Sequence, residues 1–214
     1  MRLVAVLFCW FLLASLSEAQ DFQQWNEIDL TAIWRKADLI MPLLARTDSH
    51  LPNPQLAATG VIANYPLHKH LILTGAYLYA DLPQLSDHVH LPVIAVTPAF
   101  RVNRFSLADM NRFEKLIGYT GSPVRYRNKI FFDWPLGASE QWHFFVNDEI
   151  FFNLSAGNWN QNRFQAGAGK RLNSRLFLDM YYLERVSNGA AESTNVLGTV
   201  LTVGITPIKE GAHP

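Results

Sequence analysis

The sequence predicts an all-β protein, a transmembrane up-and-down antiparallel β-barrel of twelve or ten strands behind a removable leader. Three observations predict it. Apolar and polar residues alternate with period 2 through most of the chain after residue 20. No apolar stretch beyond the leader is continuous over the roughly 20 residues a membrane helix needs. The polar positions hold Arg, Glu, Asp, Asn and Gln, and nearly lack the lysines that a soluble protein scatters over its surface.

Composition narrows the classes first. The chain has 214 residues, 49% of them apolar and 17% charged, with a formal net charge of zero. Disorder requires low hydrophobicity and high net charge, so it is excluded. Neutrality also argues against a nucleic-acid binder, which needs a basic excess to meet phosphates.

Residues 1–19 read as a secretory signal peptide. Arg2 precedes an apolar run from Leu3 to Ala14, and Ser17-Glu18-Ala19 supplies small residues for cleavage before Gln20. The apolar run, about twelve residues, is too short for a spanning helix. Cleavage removes Cys9, the single cysteine, so thiol chemistry and disulfides leave with it. The barrel is assigned to residues 20–214.

About eleven strand-like runs follow, starting near Phe22, Lys36, Gln55, His68, His88, Arg104, Ser122, Glu140, Gln161, Arg175 and Thr194. The one candidate helix, Ala37 to Arg46, carries Pro42 in its middle, which favours a strand. Turn residues at Tyr65–His68, Arg101–Arg104, Pro135–Ala138 and Leu172–Arg175 break the runs tightly. Longer polar connections lie between them, at Asp48–Pro54, Asp81–Asp87, Ser155–Asn160 and Ser187–Ser193. Alternating short and long connections describe a meander.

Two-faced patterning is clearest in the second half. Val124, Tyr126, Ile130, Phe132 and Trp134 alternate with Arg125, Arg127, Lys129 and Asp133. Trp142, Phe144, Val146, Ile150 and Phe152 oppose His143, Asn147 and Glu149. Leu176, Leu178, Met180 and Tyr182 oppose Asp179 and Arg185, and Leu197, Leu201 and Val203 oppose Gly198, Thr202 and Gly204. Runs of ten to fourteen residues exceed the ~5–6 of globular strands and suit a tilted bilayer crossing of ~9–11. Aromatics near many run ends, such as Tyr65, Phe100, Phe105, Trp134, Trp142 and Trp159, resemble interfacial girdles. Because bacterial barrels have even strand numbers, eleven runs are expected to resolve as twelve, or as ten if Phe22 to Ile33 lies before the barrel.

One ordered series of motifs is informative: Arg112-Phe113-Glu114, Arg125-Tyr126-Arg127-Asn128, Asp148-Glu149-Ile150-Phe151-Phe152, Trp159-Asn160-Gln161-Asn162-Arg163-Phe164, and Tyr181-Tyr182-Leu183. It resembles an uncharacterised family of Gram-negative outer-membrane β-barrels, a domain of unknown function, from about Trp25 to Thr206. The resemblance implies location and fold but no substrate. It places the chain in the bacterial outer membrane, among membrane lipid and lipopolysaccharide, delivered by the barrel-assembly machinery. The tail Lys209–Pro214 departs from the pattern, since many such barrels end on an aromatic residue.

The inward face collects Glu27, Asp29, Arg112, Glu114, Arg125, Arg127, Lys129, Glu149, Arg163, Arg171 and Asp179. Interleaved signs suggest a salt-bridge network in a narrow lumen. The Arg125, Arg127, Lys129 stretch is the nearest thing to a one-sign filter and would favour a small anionic solute. His68/His70 and His88/His90 fall at opposite ends of a hairpin, roughly 30 Å apart for a dozen residues, and read as interfacial residues rather than one metal site. Gly167 and Gly169 share a face and read as room for bulky inward side chains. No catalytic constellation, metal site or cofactor motif emerges. The function expected is a narrow channel or structural barrel. A small barrel enzyme acting on lipid or envelope substrates, and a soluble secreted ligand-binding barrel, are the alternatives.

Overall fold

The computed structural model describes residues 22–47, 54–83, 87–137, 140–190 and 193–206. Residues 1–19, read from the sequence as a signal peptide, and the tail Lys209–Pro214 lie outside the described residues. Eleven strands among those residues close into one barrel: β1 (Phe22–Trp34), β2 (Ala37–Thr47), β3 (Pro54–His68), β4 (Leu71–Leu82), β5 (Asp87–Val102), β6 (Phe105–Lys115), β7 (Val124–Leu136), β8 (Trp142–Asn153), β9 (Asn158–Arg171), β10 (Leu176–Ser187) and β11 (Thr194–Gly204). All consecutive pairs are antiparallel.

The count corrects the expected twelve or ten. Phe22 to Ile33 is a full barrel strand, laddered to β2 on one side and to β11 on the other. An odd number makes the first and last strands run the same way, so the closing pair must be parallel. It is so over ten rungs, from Phe22↔Asn195 to Thr31↔Gly204. A parallel ladder has slanted, evenly spaced bonds but still leaves no open edge.

Run positions agree closely with the sequence pattern. The expected start near His68 moves to Leu71, because His68 ends β3 and residues 69–70 form the turn. The expected long connection at Ser155–Asn160 is instead a tight turn over residues 154–157. The helix candidate is β2. Its Pro42 faces inward, buried, and the β2–β3 ladder has no rungs at Met41 and Pro42, as the missing N–H dictates. Connections of two to five residues mark one rim, the turn rim; connections of four to eight mark the other, the loop rim.

The barrel is inverted relative to a globular protein. Outward side chains such as Val61 and Ile94 are 57% and 56% exposed, whereas the inward carboxylates of Glu114 and Glu149 lie in residues only 2% and 3% exposed. Parity explains it, since successive side chains along a strand alternate between the faces. Inside, the wall is uneven. Strands β3 to β5 contribute small and aliphatic residues, with Ala80 and Val89 packed against Leu116, which follows β6. Strands β1, β2 and β6 to β10 contribute the belt and cavity charges and the inward aromatics. Trp25, Tyr181, Leu183 and Val196 form a second apolar cluster across the β1–β11 seam.

Glycine makes that filling possible. A Cβ at Gly198 would fall on the Tyr181 ring, one at Gly167 on Phe145 and Tyr181, and one at Gly169 on His143 and Asp179. Small residues on β9 and β11 therefore leave the space that large side chains from β8 and β10 occupy. Gly198→Val is expected to destabilise the barrel by about 1–3 kcal/mol through overpacking. Gly75→Ala, whose Cβ meets nothing within 4 Å, is expected to be nearly silent. Thermal unfolding followed by circular dichroism in detergent micelles checks both.

Candidate functional site

Near the loop rim, β1, β2 and β6 to β9 direct a belt of charged and aromatic side chains into the lumen. Glu114 is its centre. Its Oε2 accepts from Arg112 at 2.8 Å and from Arg127 at 3.3 Å, while Oε1 accepts from Arg125. Glu149 accepts from Arg127 through Nε at 2.9 Å and Nη2 at 2.5 Å, and stands 3.8 Å from Arg163. The ladder explains the meeting: Glu114 is directly opposite Arg125, Arg112 opposite Arg127, and Glu149 opposite Arg163.

Aromatic rings complete the belt. The fully buried Phe151 has the guanidiniums of Arg127 and Arg163 each 4.4 Å from its centroid and that of Arg125 at 5.2 Å. Trp25 holds Arg46 at 3.7 Å and Arg163 at 5.1 Å. The Trp25 indole N–H donates to Gln23 at 3.1 Å, and the Gln23 amide donates to Gln55 at 2.9 Å. Ring faces supply electron density where five arginines have only two carboxylates.

Below the belt, toward the turn rim, the lumen opens into a cavity of about 580 Å³. Its chemistry is opposite in sign: Glu27, Asp29, Asp38, Asp133 and Asp179 line it, against Lys129 and His143. Lys129 lies between the two regions, 4.4 Å over the Phe131 ring. His143 is clamped between two carboxylates. Nε2 is 2.8 Å from Asp179, and Nδ1 bonds to Asp133. Phe177 meets the ring edge-on at 5.0 Å. Both ring nitrogens facing carboxylate oxygens suit the imidazolium, which donates from each.

Of the eleven residues singled out in the sequence, Arg112, Glu114, Arg125, Arg127, Glu149 and Arg163 meet in the belt. Glu27, Asp29, Lys129 and Asp179 line the cavity instead. Arg171 ends β9 at the turn rim, directly opposite Phe177. Sequence reasoning did not single out Arg46, Trp25, Phe151, Asp133 or His143. Parity places Asp133 and His143 on the polar face, but only the β7–β8, β8–β9 and β9–β10 registers bring His143 to Asp133 and Asp179. The paired histidines lie at opposite rims, as the spacing indicates. His88 and His90 contact the hydroxyls of Tyr79 and Tyr77 at 2.9 and 2.6 Å, while the His68 and His70 rings lie 5.8 Å apart.

A family model described as "Protein of unknown function (DUF2490)" matches residues 22–196, most of the chain. No curated protein matches. Among solved structures, a chain titled "KdgM porin" aligns with a TM-score of 0.45 and 10% identity, over 82% of this chain and 94% of that one.

Removing the central carboxylate tests the belt. Glu114→Ala leaves Arg112, Arg125 and Arg127 without their shared partner and is expected to lower stability by about 3–5 kcal/mol. Glu140→Ala removes an exposed partner of Arg101 and Arg104, at 3.9 and 3.4 Å, and is expected to lower it by less than about 1 kcal/mol. Urea titration of the folded, fast-migrating band on detergent gels compares them.

Proposed function

The chain belongs to the DUF2490 family, and we propose that it is an outer-membrane β-barrel whose lumen serves as a narrow, anion-preferring passage. Inversion supports the membrane location. An outer surface carrying Val61, Ile94, Phe113, Ile130 and Met180, all largely exposed, suits lipid better than water. Short turns would then face the periplasm and longer connections the exterior.

The observation that carries the passage reading is the charge of its narrowest level. Arg46, Arg112, Arg125, Arg127 and Arg163 outnumber Glu114 and Glu149 there. The surplus positive charge at a constriction attracts anions and repels cations. Interlocked side chains fill this level, so permeation is slow and depends on the arginines moving between carboxylate and solute. The acidic cavity beneath repels an anion, so it is the barrier that an anion leaving the belt toward the turn rim has to cross.

Planar-bilayer recording across a potassium chloride gradient tests this. The expected result is a small conductance with a zero-current potential of anion-selective sign. Arg127→Gln should lower the anion preference several-fold, and Glu114→Gln should raise both conductance and anion preference. Silence from the wild type and from Glu114→Gln alike would leave the lumen a structural plug.

A further inference from the structure

The two rims of the barrel differ in charge. The five loop-rim connections, residues 48–53, 83–86, 116–123, 154–157 and 188–193, contain Asp48 and Glu192 and no lysine or arginine. At the turn rim the pattern reverses. Arg35 and Lys36 make the β1–β2 turn, Lys69 lies in the β3–β4 turn, Arg104 in the β5–β6 turn beside Arg101, and Arg175 in the β9–β10 turn. All six are exposed, and four of the five turns thus carry a cation. The β7–β8 connection holds the one exposed acid of this rim among the described residues, Glu140, which stands 3.9 Å from Arg101 and 3.4 Å from Arg104. Lys36, Lys69 and Arg175 make no ion pair among the described residues.

Aromatic side chains accompany these cations on the outer face. Trp34, Trp134 and Trp142 point outward at the turn-rim ends of β1, β7 and β8, and are 62%, 43% and 48% exposed. The Arg35 guanidinium lies 5.3 Å from the Trp34 ring centroid, and the Lys170 ammonium 4.8 Å from that of Trp142. His70 stacks on the outward Phe100 at 5.4 Å, and its carbonyl accepts from the Ala99 N–H at 3.0 Å, which ties the Lys69 turn to β5. Indole rings favour the boundary between hydrocarbon and water, so they mark the level at which the headgroups of a leaflet lie. The cations occupy that level and the water beyond it.

We propose that the turn rim is a binding surface for the phosphate headgroups of anionic phospholipids, in the leaflet that the short turns face. The inference rests on the outer-membrane reading, which puts those turns on the periplasmic side. Charge complementarity selects the occupant. Each ammonium or guanidinium donates to phosphate oxygens, and a guanidinium can do so through two parallel bonds. Distribution favours a lipid surface over a docked protein. The cations spread over turns all around the circumference, level with the indoles, whereas a docked protein would use one side. Basic residues beside a membrane-spanning segment are drawn to an anionic surface in this way, and salt screens the attraction. The loop connections lack these cations, so the surface belongs to one leaflet.

Quenching of tryptophan fluorescence by brominated lipids tests it, because Trp34, Trp134 and Trp142 report which lipids occupy this rim. The protein, folded into vesicles of phosphatidylcholine and phosphatidylglycerol with one or the other lipid brominated, gives the relative binding constant of the two. Phosphatidylglycerol should bind several-fold more tightly at low salt, and high salt should remove most of the preference. Lys36→Gln with Lys69→Gln and Arg175→Gln should bring the ratio close to unity. Lys115→Gln, which removes an exposed cation at the loop-rim end of β6, should leave it unchanged. Glu140→Gln, which removes no cation and frees Arg101 and Arg104, should raise it. A wild-type ratio of unity, or a preference that survives the triple substitution in a barrel with heat-modifiable migration, overturns the inference and leaves the membrane barrel standing. Quenching by neither brominated lipid overturns the outer-membrane reading, and the inference with it.

Discussion

Everything inside the barrel is arranged around the hydrogen bonds that Glu114 and Glu149 accept from arginine. An unpaired ion taken out of water loses several kcal/mol, and a guanidinium cannot escape by losing its proton. Five arginines enclosed at one level therefore demand partners, and two carboxylates are too few. The structure meets the shortfall by sharing Glu114 among three arginines and laying the remaining cation faces on Phe151 and Trp25. That arrangement fixes which side chains on β1, β2 and β6 to β9 can change.

Much of this was legible in the residues, and the illegible part has physical causes. Arg125, Arg127, Lys129 and Asp133 alternate so regularly with Tyr126, Ile130, Phe132 and Trp134 that both faces of β7 could be read from period 2 alone. Arg46 could not. On β2 both parities are apolar, with Leu39, Met41 and Leu43 on one and Ile40, Pro42 and Leu44 on the other, so alternation carries no signal there. The meeting of Asp133, His143 and Asp179 depends on register across four strands, β7 to β10, which parity leaves open by steps of two residues. Depth was equally hidden. Glu27 and Asp29 point inward as their parity demands, yet lie below the arginine level, because strand offset around the barrel decides height. Strand count differs from expectation for another reason: eleven runs are visible in the sequence, but the even-number tendency of bacterial barrels points to ten or twelve.

The lumen that results is polar along its axis. Arginines dominate at the loop rim and carboxylates nearer the turn rim, with Lys129 between them. The two regions of opposite sign are separated along the axis, so a charged solute would meet a gradient rather than a uniform lining.

The parallel seam has a consequence for the order of the strands. Phe22 opens β1 at the loop rim, and Gly204 closes β11 at the turn rim. In a barrel with an even count, the two strand ends meet at one rim, and a short turn could join them and allow the chain to be cut open elsewhere. Here a joining segment would have to travel the height of the wall, about 30 Å for ten residues of strand. On the outer-membrane reading, an extended segment outside would carry bare peptide groups through hydrocarbon; inside, it would have to displace the arginines. The barrel therefore resists circular permutation: its strands have one possible first and one possible last.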